Sequence, residues 1–480
     1  MKKSLNKYVC LSLLFIPIFL TFTLEFAGEC DIWFLLNHGR YVLNYGFPHV
    51  DFMSMHSNLH FVMQQWLSAV IFYGFYKLFG FIGVYFVVWI SNLIIILLIY
   101  KLSIKISDSI FLSCIATVIL SILLQISAIT CRPFIFSFII FLLLLYIMES
   151  YRKKKSNIIW YLVLLSLFQV NLHASMWPVL FILLLPYLAN YLYLFLKNKD
   201  KTIFKLILIV FIMIMVGFIN PYGLEAMTYS FRSYGVADIN ETIWEMNGLN
   251  LNSDLPYVRF FAFLNLFVLI CTCSIFILSK KKVEFYRLLL FFGTYMMALM
   301  NIRNVNLFFI CSIPFCTDYI KDKIKYKSEF SINYKLLFCL FVIITIAYIC
   351  LNNEKYVLSN SITGQDKVLS YMEKNVDKNE PIYTVNTNGG FIAFYGYKPY
   401  IDTRAEVYLK VNNKKEDIFH EFYLLMNGKL DYDSFLKKYN FKYLLVDKKE
   451  PMYRYLNSKY NKDYHLVYKN KKTYLYEKNN

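Results

Sequence analysis

Cysteine is absent after Cys350, so no disulfide framework holds the C-terminal region. The ten cysteines earlier in the chain show no metal or disulfide spacing. Cys271-x-Cys273 has the wrong interval for a CxxC pair, and most of the others sit in or beside apolar runs, where cysteine packs as a small hydrophobe. Only Cys30 and Cys131 are placed to meet outside a membrane. GxGxxG and Walker patterns are also missing. Asn388-Gly389-Gly390 looks like a phosphate-cradling turn, but it stands alone, and a nucleotide site is not expected. There is no internal repeat and no low-complexity tract. A small-x-small cleavage site is lacking after the first apolar run, where Glu25, Phe26 and Glu29 crowd the positions. Glu29 before Cys30 also excludes a lipoprotein site. The first run is therefore expected to be a retained span.

Acidic residues are scarce: 32 Asp and Glu stand against 50 Lys and Arg, a formal charge of +18. Such an excess can signal nucleic acid, but here it is mostly lysine in short loops between apolar runs. That is the positive-inside pattern, so a lipid bilayer is the expected partner and nucleic acid is not. A hydrophobic fraction of 58 % and a mean hydropathy of +0.45 agree. After the first run, which extends to about residue 27, apolar runs lie near 82–101, 108–127, 132–150, 157–172, 176–196, 204–219, 259–279, 285–302, 304–320 and 335–351. With the N-terminus inside, the cytoplasmic loops hold 21 Lys and Arg and the outer segments before the tail hold six. Eleven spans then put the tail outside. Residues 66–79 are short for a span, and their Trp and Tyr suit a juxtamembrane helix.

The expected architecture is an all-α polytopic membrane domain over 1–351 followed by a small extracytoplasmic α/β domain over 352–480. In the tail, DKVLSYMEKN, EDIFHEFYLLM and DSFLKKY read as helices. PIYTV and KYLLVD read as strands, PYIDTR as a strand entering a loop, and HLVYKN with KTYLYEK as a hairpin about Asn470-Lys471.

Chemistry concentrates in the outer loop 28–80. Four of the seven histidines fall between Glu25 and Trp66, together with Glu29, Asp31, Trp33, Arg40, Asp51 and Gln65. Asp31 follows the first span and precedes an amphipathic stretch, where a helix cap is the ordinary role. In this company it is also a candidate general base for an acceptor hydroxyl. Two carboxylates can share a divalent metal with a diphosphate leaving group, although nothing in the sequence requires one. Arg132 and Arg303 each stand where a span meets the outer side. Arginine suits bidentate phosphate binding, and interfacial snorkelling is the plainer alternative. His173 ends the fifth run and can face substrate or simply finish a helix. Asn220-Pro221-Tyr222-Gly223 reads as a turn, and Asn92, Gln125 and Gln169 as interhelical hydrogen-bond partners. Asp402-x-Arg404-x-Glu406-x-Tyr408 reads as an edge strand with a local ion pair.

In order, the motifs are Asp31-x-Trp33, Gly39-Arg40, Pro48-x-x-Asp51-x-x-Ser54, Gln65-Trp66-Leu67, Arg132-Pro133, Asn171-Leu172-His173, Asn220-Pro221-Tyr222-Gly223, Trp244-Glu245, Arg303-Asn304, Gly389-Gly390 and Asp402-x-Arg404-x-Glu406-x-Tyr408. Together they resemble polytopic glycosyltransferases of the GT-C class, in particular a large bacterial family of that type. The resemblance implies a sugar donor linked to polyprenyl phosphate, an inverting transfer, and a glycan, lipid or protein acceptor in the envelope. It puts the protein in a bacterial plasma membrane. It casts Asp31 as catalytic, with Glu29 or Asp51 assisting, and Arg40, Gln65, Trp33, Arg132, His173 and Arg303 toward substrate. This chain departs from the pattern at Glu29, Leu35 and Gln65, where Asp, His and Glu are common. A flippase for lipid-linked saccharides and a scaffold for envelope assembly are the rival readings. Polar groups clustered at the outer ends of the runs, not at mid-membrane, favour the enzyme.

Overall fold

The computed structural model describes residues 7–24, 30–154, 157–233, 235–279, 281–321, 341, 344, 345, 348, 366–470 and 472–479. The chain folds into two compact units. One comprises Met1–Leu24, Val88–Gly223 and Ile243–Asn353; the other comprises Glu25–Val87, Leu224–Thr242 and Glu354–Asn480. The tail is therefore not a unit by itself. It folds together with the first loop and with a short stretch before Ile243.

The first unit is helical. Phe81–Ser107, which begins in the second unit, Ile110–Ser127, Phe134–Lys154, Ala174–Asn198 and Pro256–Leu278 are long and apolar enough to cross a membrane. Cys10–Thr23, Asn157–Leu172, Thr202–Gly217 and Phe285–Met300 are shorter apolar helices. The expected span 335–351 lies almost wholly outside the described residues. A backbone in lipid must bond to itself, so polar side chains inside such helices look for one another. Asn92 Nδ2 donates to Thr21 Oγ1 at 2.9 Å, and Gln125 Nε2 donates to the Pro17 carbonyl at 2.8 Å. Gln169 Nε2 bonds Ser137 Oγ at 3.0 Å and the His173 carbonyl at 2.8 Å. All three interhelical roles expected for these amides hold. Asn220 closes its turn by donating to the Gly217 and Gly223 carbonyls, and Gly223 supplies a φ of +52°.

One end of this unit carries a buried charge network. Glu149 accepts from Tyr286 Oη at 2.8 Å and Tyr187 Oη at 3.1 Å. Arg287 pairs with Asp318 at 2.7 Å and Glu284 at 3.0 Å, and Lys281 reaches Asp318 at 2.6 Å. These bonds tie together the ends of four helices. It is the same end at which the lysine-rich loops leave the bundle.

The second unit contains a five-stranded sheet in the order β2-β1-β3-β5-β4. Here β1 is Pro381–Thr384, β2 Lys398–Pro399, β3 Tyr443–Asp447, β4 Tyr464–Lys469 and β5 Thr473–Lys478. β2, β1 and β3 run parallel; β5 is antiparallel to both β3 and β4. β3 is buried almost end to end, as a central strand with covered faces should be. The expected helices appear at Asp366–Asn375, Ile418–Met426 and Tyr432–Tyr439. Asp417 and Asp431 cap the last two by accepting the backbone N–H three residues on.

Two tail readings are corrected. PYIDTR contributes only one residue of strand, Pro399, and Asp402–Arg404 is loop leading to a 3-10 turn, Ala405–Tyr408. Gly389 and Gly390 are not a phosphate turn: they lie inside the helix Asn386–Phe394. There they let backbones approach. A Cβ on Gly389 would stand 1.9 Å from the Ile401 carbonyl oxygen, whereas a Cβ on Gly390 would meet nothing nearer than 3.5 Å. The Gly390 side faces Cys30, Trp33 and Phe34 of the first loop. Gly389→Ala is therefore expected to cost about 1–3 kcal/mol by overpacking, while Gly390→Ala costs less than about 1 kcal/mol. Thermal unfolding of the detergent-solubilised chain tests the difference. Equal midpoints for the two variants would show that close approach is not what Gly389 provides.

Candidate active site

In the helical unit, three charged residues from distant stretches converge. Arg132 stands in the turn before Phe134–Lys154, Arg303 in the 3-10 turn Ile302–Asn304, and Glu245 in the 3-10 turn Trp244–Met246. Arg132 NH1 lies 3.1 Å from both Glu245 oxygens, and Arg303 Nε donates to Oε2 at 3.1 Å. Backbone bonds hold the two 3-10 turns side by side: Ile302 N–H to the Asn247 carbonyl at 2.9 Å and Leu249 N–H to the Leu299 carbonyl at 3.1 Å. Each of the three side chains is about a quarter exposed (26, 24 and 28 % for Arg132, Glu245 and Arg303). Burial works to raise the Glu245 carboxyl, but the Arg132 and Arg303 charges outweigh it and hold it below the ordinary range. Arg303 spends only Nε on Glu245, and its terminal N–H groups have no partner among the described residues. Guanidinium donors of this kind can accept an anion with phosphate-like geometry.

His173 joins the helices Tyr161–Leu172 and Trp177–Asn198. It is buried, with Nδ1 3.1 Å from Ser137 Oγ and its ring edge-on to Phe134 at 4.7 Å. Burial, and then the nearby Arg303 charge, push the imidazole toward its neutral form. Arg132, His173 and Arg303, widely separated in sequence, thus belong to one end of this unit.

In the second unit, Asp31 opens the helix Asp31–Tyr45, where a carboxylate complements the helix dipole. It is half-buried. Glu29 lies outside the described residues. His38 falls two turns after Asp31 on the same face. Trp33 is buried and packs edge-on against Phe81 and Phe391 at 5.3 and 4.9 Å, so it serves as core. Gln65 is buried at the N-cap position of Trp66–Phe79. Arg40 donates to Asn37 Oδ1 at 2.6 Å and to the Phe394 carbonyl at 2.7 Å.

Asp51 is engaged on both oxygens. Arg404 donates to Oδ1 at 2.7 Å, and Ser54 donates its backbone N–H and hydroxyl to Oδ2 at 3.0 and 2.6 Å. Arg404 also grips Asp402 through Nε and NH2, and the Tyr408 hydroxyl donates to Asp402 at 2.8 Å. Arg404 NH1 stands 3.3 Å from His38 Nε2. An arginine can only donate, so Nε2 accepts and the ring proton sits on Nδ1, which has no partner among the described residues. Burial, helped by the Arg404 charge, keeps this imidazole neutral. Burial works to raise the Asp51 carboxyl, but Arg404 and Ser54 outweigh it and hold it at about 2.

The sequence reading missed the partners more than the principals. The expected local pair of Arg404 with Asp402 is present, though on a loop and not an edge strand; what the sequence does not show is that Arg404 also pairs with Asp51, and Glu245 stands in the sequence only as part of a motif. Charged residues in an apolar stretch around Ile401 and Ala405 were the available signal. Among the described residues no group of three or more His, Cys, Asp and Glu is placed to hold a metal ion, and Asp51 is already committed to Arg404.

No protein-family model and no curated protein matches the chain. Solved structures do. The oligosaccharyltransferase of Archaeoglobus fulgidus, tethered to an acceptor peptide with an NVT sequon, superposes with a TM-score of 0.60 at 12 % identity, covering 99 % of this chain and 74 % of that one. The same organism's AglB with an inhibitory peptide and a dolichol phosphate gives 0.57 at 11 %, with 99 % and 74 % covered. ArnT from Cupriavidus metallidurans, bound to undecaprenyl phosphate, gives 0.54 at 12 %, with 98 % and 97 % covered. These are GT-C glycosyltransferases, and the chain has their fold.

The Asp51–Arg404 pair carries a pH signature. Because the folded carboxyl is depressed, its stabilisation is complete above the unfolded value near 3.8 and is lost as pH falls toward about 2. Asp51→Asn is expected to lower stability at neutral pH by on the order of 3 kcal/mol and to flatten the fall between pH 4 and 2. Unfolding midpoints of both proteins across that range would show parallel curves if the pair contributes nothing.

Proposed function

We propose that this chain is an integral membrane glycosyltransferase. It moves a sugar from a polyprenyl-phosphate-linked donor to a glycan, lipid or protein acceptor at the outer face of a bacterial plasma membrane. The observation that carries the reading is the Arg132–Glu245–Arg303 cluster: two arginines of different loops meet at one carboxylate, and the terminal N–H groups of Arg303 have no partner among the described residues. A phosphate leaving group needs that arrangement. As the bond from the anomeric carbon to the phosphate oxygen breaks, negative charge grows on the phosphate, and fixed guanidiniums stabilise it without reorganising. Glu245 keeps the arginines oriented when no phosphate is present. His173, neutral and anchored to Ser137, supplies a polar group that does not compete for the anion.

Asp31 takes the proton from the acceptor hydroxyl as its oxygen attacks the anomeric carbon with inversion. Asp51 has both oxygens occupied, so its role is to hold the loop through Arg404. Glu29 is kept as an assisting carboxylate on its sequence position alone. Trp33 and Gln65 act by packing. The N-terminus is assigned to the cytoplasm and the tail to the outside, from the distribution of Lys and Arg. The fold shared with enzymes whose structures hold dolichol phosphate or undecaprenyl phosphate supports a donor of that chemical class.

The test is a deletion strain complemented with wild type, Asp31→Asn or Arg303→Ala at equal membrane abundance. Surface glycans and lipid-linked intermediates are read by mass spectrometry. A glycan lacking one sugar, accumulation of its lipid-linked donor, and failure of Asp31→Asn to restore it are expected. Arg303→Ala should slow transfer roughly 100-fold. Full restoration by Asp31→Asn would remove Asp31 as base and favour transport or scaffolding.

A further inference from the structure

The second unit contains a cleft that the reading above does not use. It has a volume of about 300 Å³, the lower end of the range for small-ligand sites. One wall is the last two turns of the helix Asp31–Tyr45, another the loop at Phe52–Met53, and the third the segment Ala393–Lys398 of the tail.

Three features give it chemical character. The first is aromatic. Tyr41 stacks on Phe52 with centroids 3.9 Å apart, and Tyr45 lies 5.1 Å from Tyr41. Tyr45 is 76 % exposed, which is unusual for an aromatic ring in a packed unit. Such rings form a platform for the CH face of a pyranose. The second is cationic. Arg40 and Lys398 both line the cleft, and Lys378 stands beside it with Nζ 5.5 Å from the Tyr397 ring centroid. Arg40 is held by Asn37 Oδ1 and the Phe394 carbonyl and lies over the Phe394 ring at 4.5 Å; Lys398 is held by the Phe52 carbonyl at 2.9 Å. All these partners are neutral. No carboxylate lines the cleft, and neither cation is paired with one among the described residues. By contrast, Arg132, Arg152, Arg287, Arg303 and Arg404 are all in ion pairs. Arg40 keeps three of its five donors and Lys398 two of its three. The third feature is amide: the exposed Asn44 stands on the helix wall, suited to bidentate bonding with vicinal hydroxyls, while the buried Asn37 is spent on Arg40 and the Ala393 carbonyl.

We infer that this cleft binds an anionic saccharide, a sugar bearing a carboxylate or phosphate, as the acceptor. The inference rests on the glycosyltransferase reading for the word acceptor, but not for the binding itself. It narrows the substrate-facing role expected for Arg40 to acceptor recognition. An anionic lipid surface is the competing occupant of a site with cations and an exposed tyrosine. A concave shape and an aromatic wall favour a sugar.

The test uses the full chain in nanodiscs of phosphatidylcholine, with saturation-transfer NMR and calorimetry. The probes are a tetrasaccharide of alternating glucuronate and N-acetylglucosamine, the same compound with its carboxyls reduced, glucose 1-phosphate, and inorganic phosphate. The uronate compound or the sugar phosphate should bind at least about tenfold tighter than the neutral one, and whichever is tighter names the anion. Lys398→Gln should remove that preference. Tyr45→Ala, at an exposed position, should weaken neutral and charged saccharides alike without changing the unfolding midpoint. Equal binding of charged and neutral compounds would overturn the inference. So would inorganic phosphate competing as well as the sugars, no effect of either variant, or a response only to nanodiscs containing phosphatidylglycerol. If the sugars bind but the complementation experiment shows no transfer, the cleft stands and the enzyme reading falls; the reverse pattern sinks only the cleft.

Discussion

A buried guanidinium shared by two carboxylates is the constraint on which the second unit depends. Arg404 is 4 % exposed, and its partners Asp51 and Asp402 are fully buried. Stripping water from such groups costs several kcal/mol each, which is recovered only when the geometry is complete. The completing bonds come from separate stretches: Ser54 on the loop, Tyr408 on the tail, His38 on the helix that begins at Asp31. Removing any one leaves a buried charge short of a partner. The first loop and the tail therefore fold as one body, and the helix bearing Asp31 is held by the tail along its length, from Trp33 to Arg40. Gly389 secures the same arrangement by letting the helix Asn386–Phe394 lie against the backbone at Ile401 and Asp402.

The helical unit applies the same economy of charge in two different ways. At the end with Glu149, Arg287 and Asp318, carboxylates and cations are nearly balanced, and tyrosine hydroxyls satisfy the remaining lone pairs. That network holds helix ends together. At the end with Arg132 and Arg303, both arginines meet at Glu245, and Arg303 keeps its terminal donors unpaired among the described residues. A closed network suits structure; one with open donors suits a ligand. The distinction rests on counting partners, and it separates two clusters that look alike as strings of charged residues.

Much of the fold was legible in order. Apolar runs of suitable length marked the helices because a chain in lipid has few other ways to satisfy its backbone. Asn92, Gln125 and Gln169 announced interhelical bonds because a mid-run amide has nowhere else to turn. The strands β1, β3, β4 and β5 followed from alternation and from turn residues. Legibility ended where a residue's meaning depends on something far away. Asp402 and Arg404 are two apart in sequence, so a local pair was the natural reading. The Asp51 that completes the network is 353 residues from Arg404. The diglycine resembled a loop because glycine is permissive in loops, yet here the missing Cβ makes room for a carbonyl.

By itself, the sequence determined that this is a chain of apolar helices with lysine-rich loops, a polar first loop and an α/β tail. Each of those properties is written in periodicity, length or local charge. Tertiary structure alone decided that loop and tail are one unit, that Asp51 is committed to Arg404, and that, among the described residues, Arg303 keeps free donors and Arg40 and Lys398 share a cleft without an acid. Those facts depend on which desolvated charges find partners across hundreds of residues, and partner geometry has no local signature in the chain.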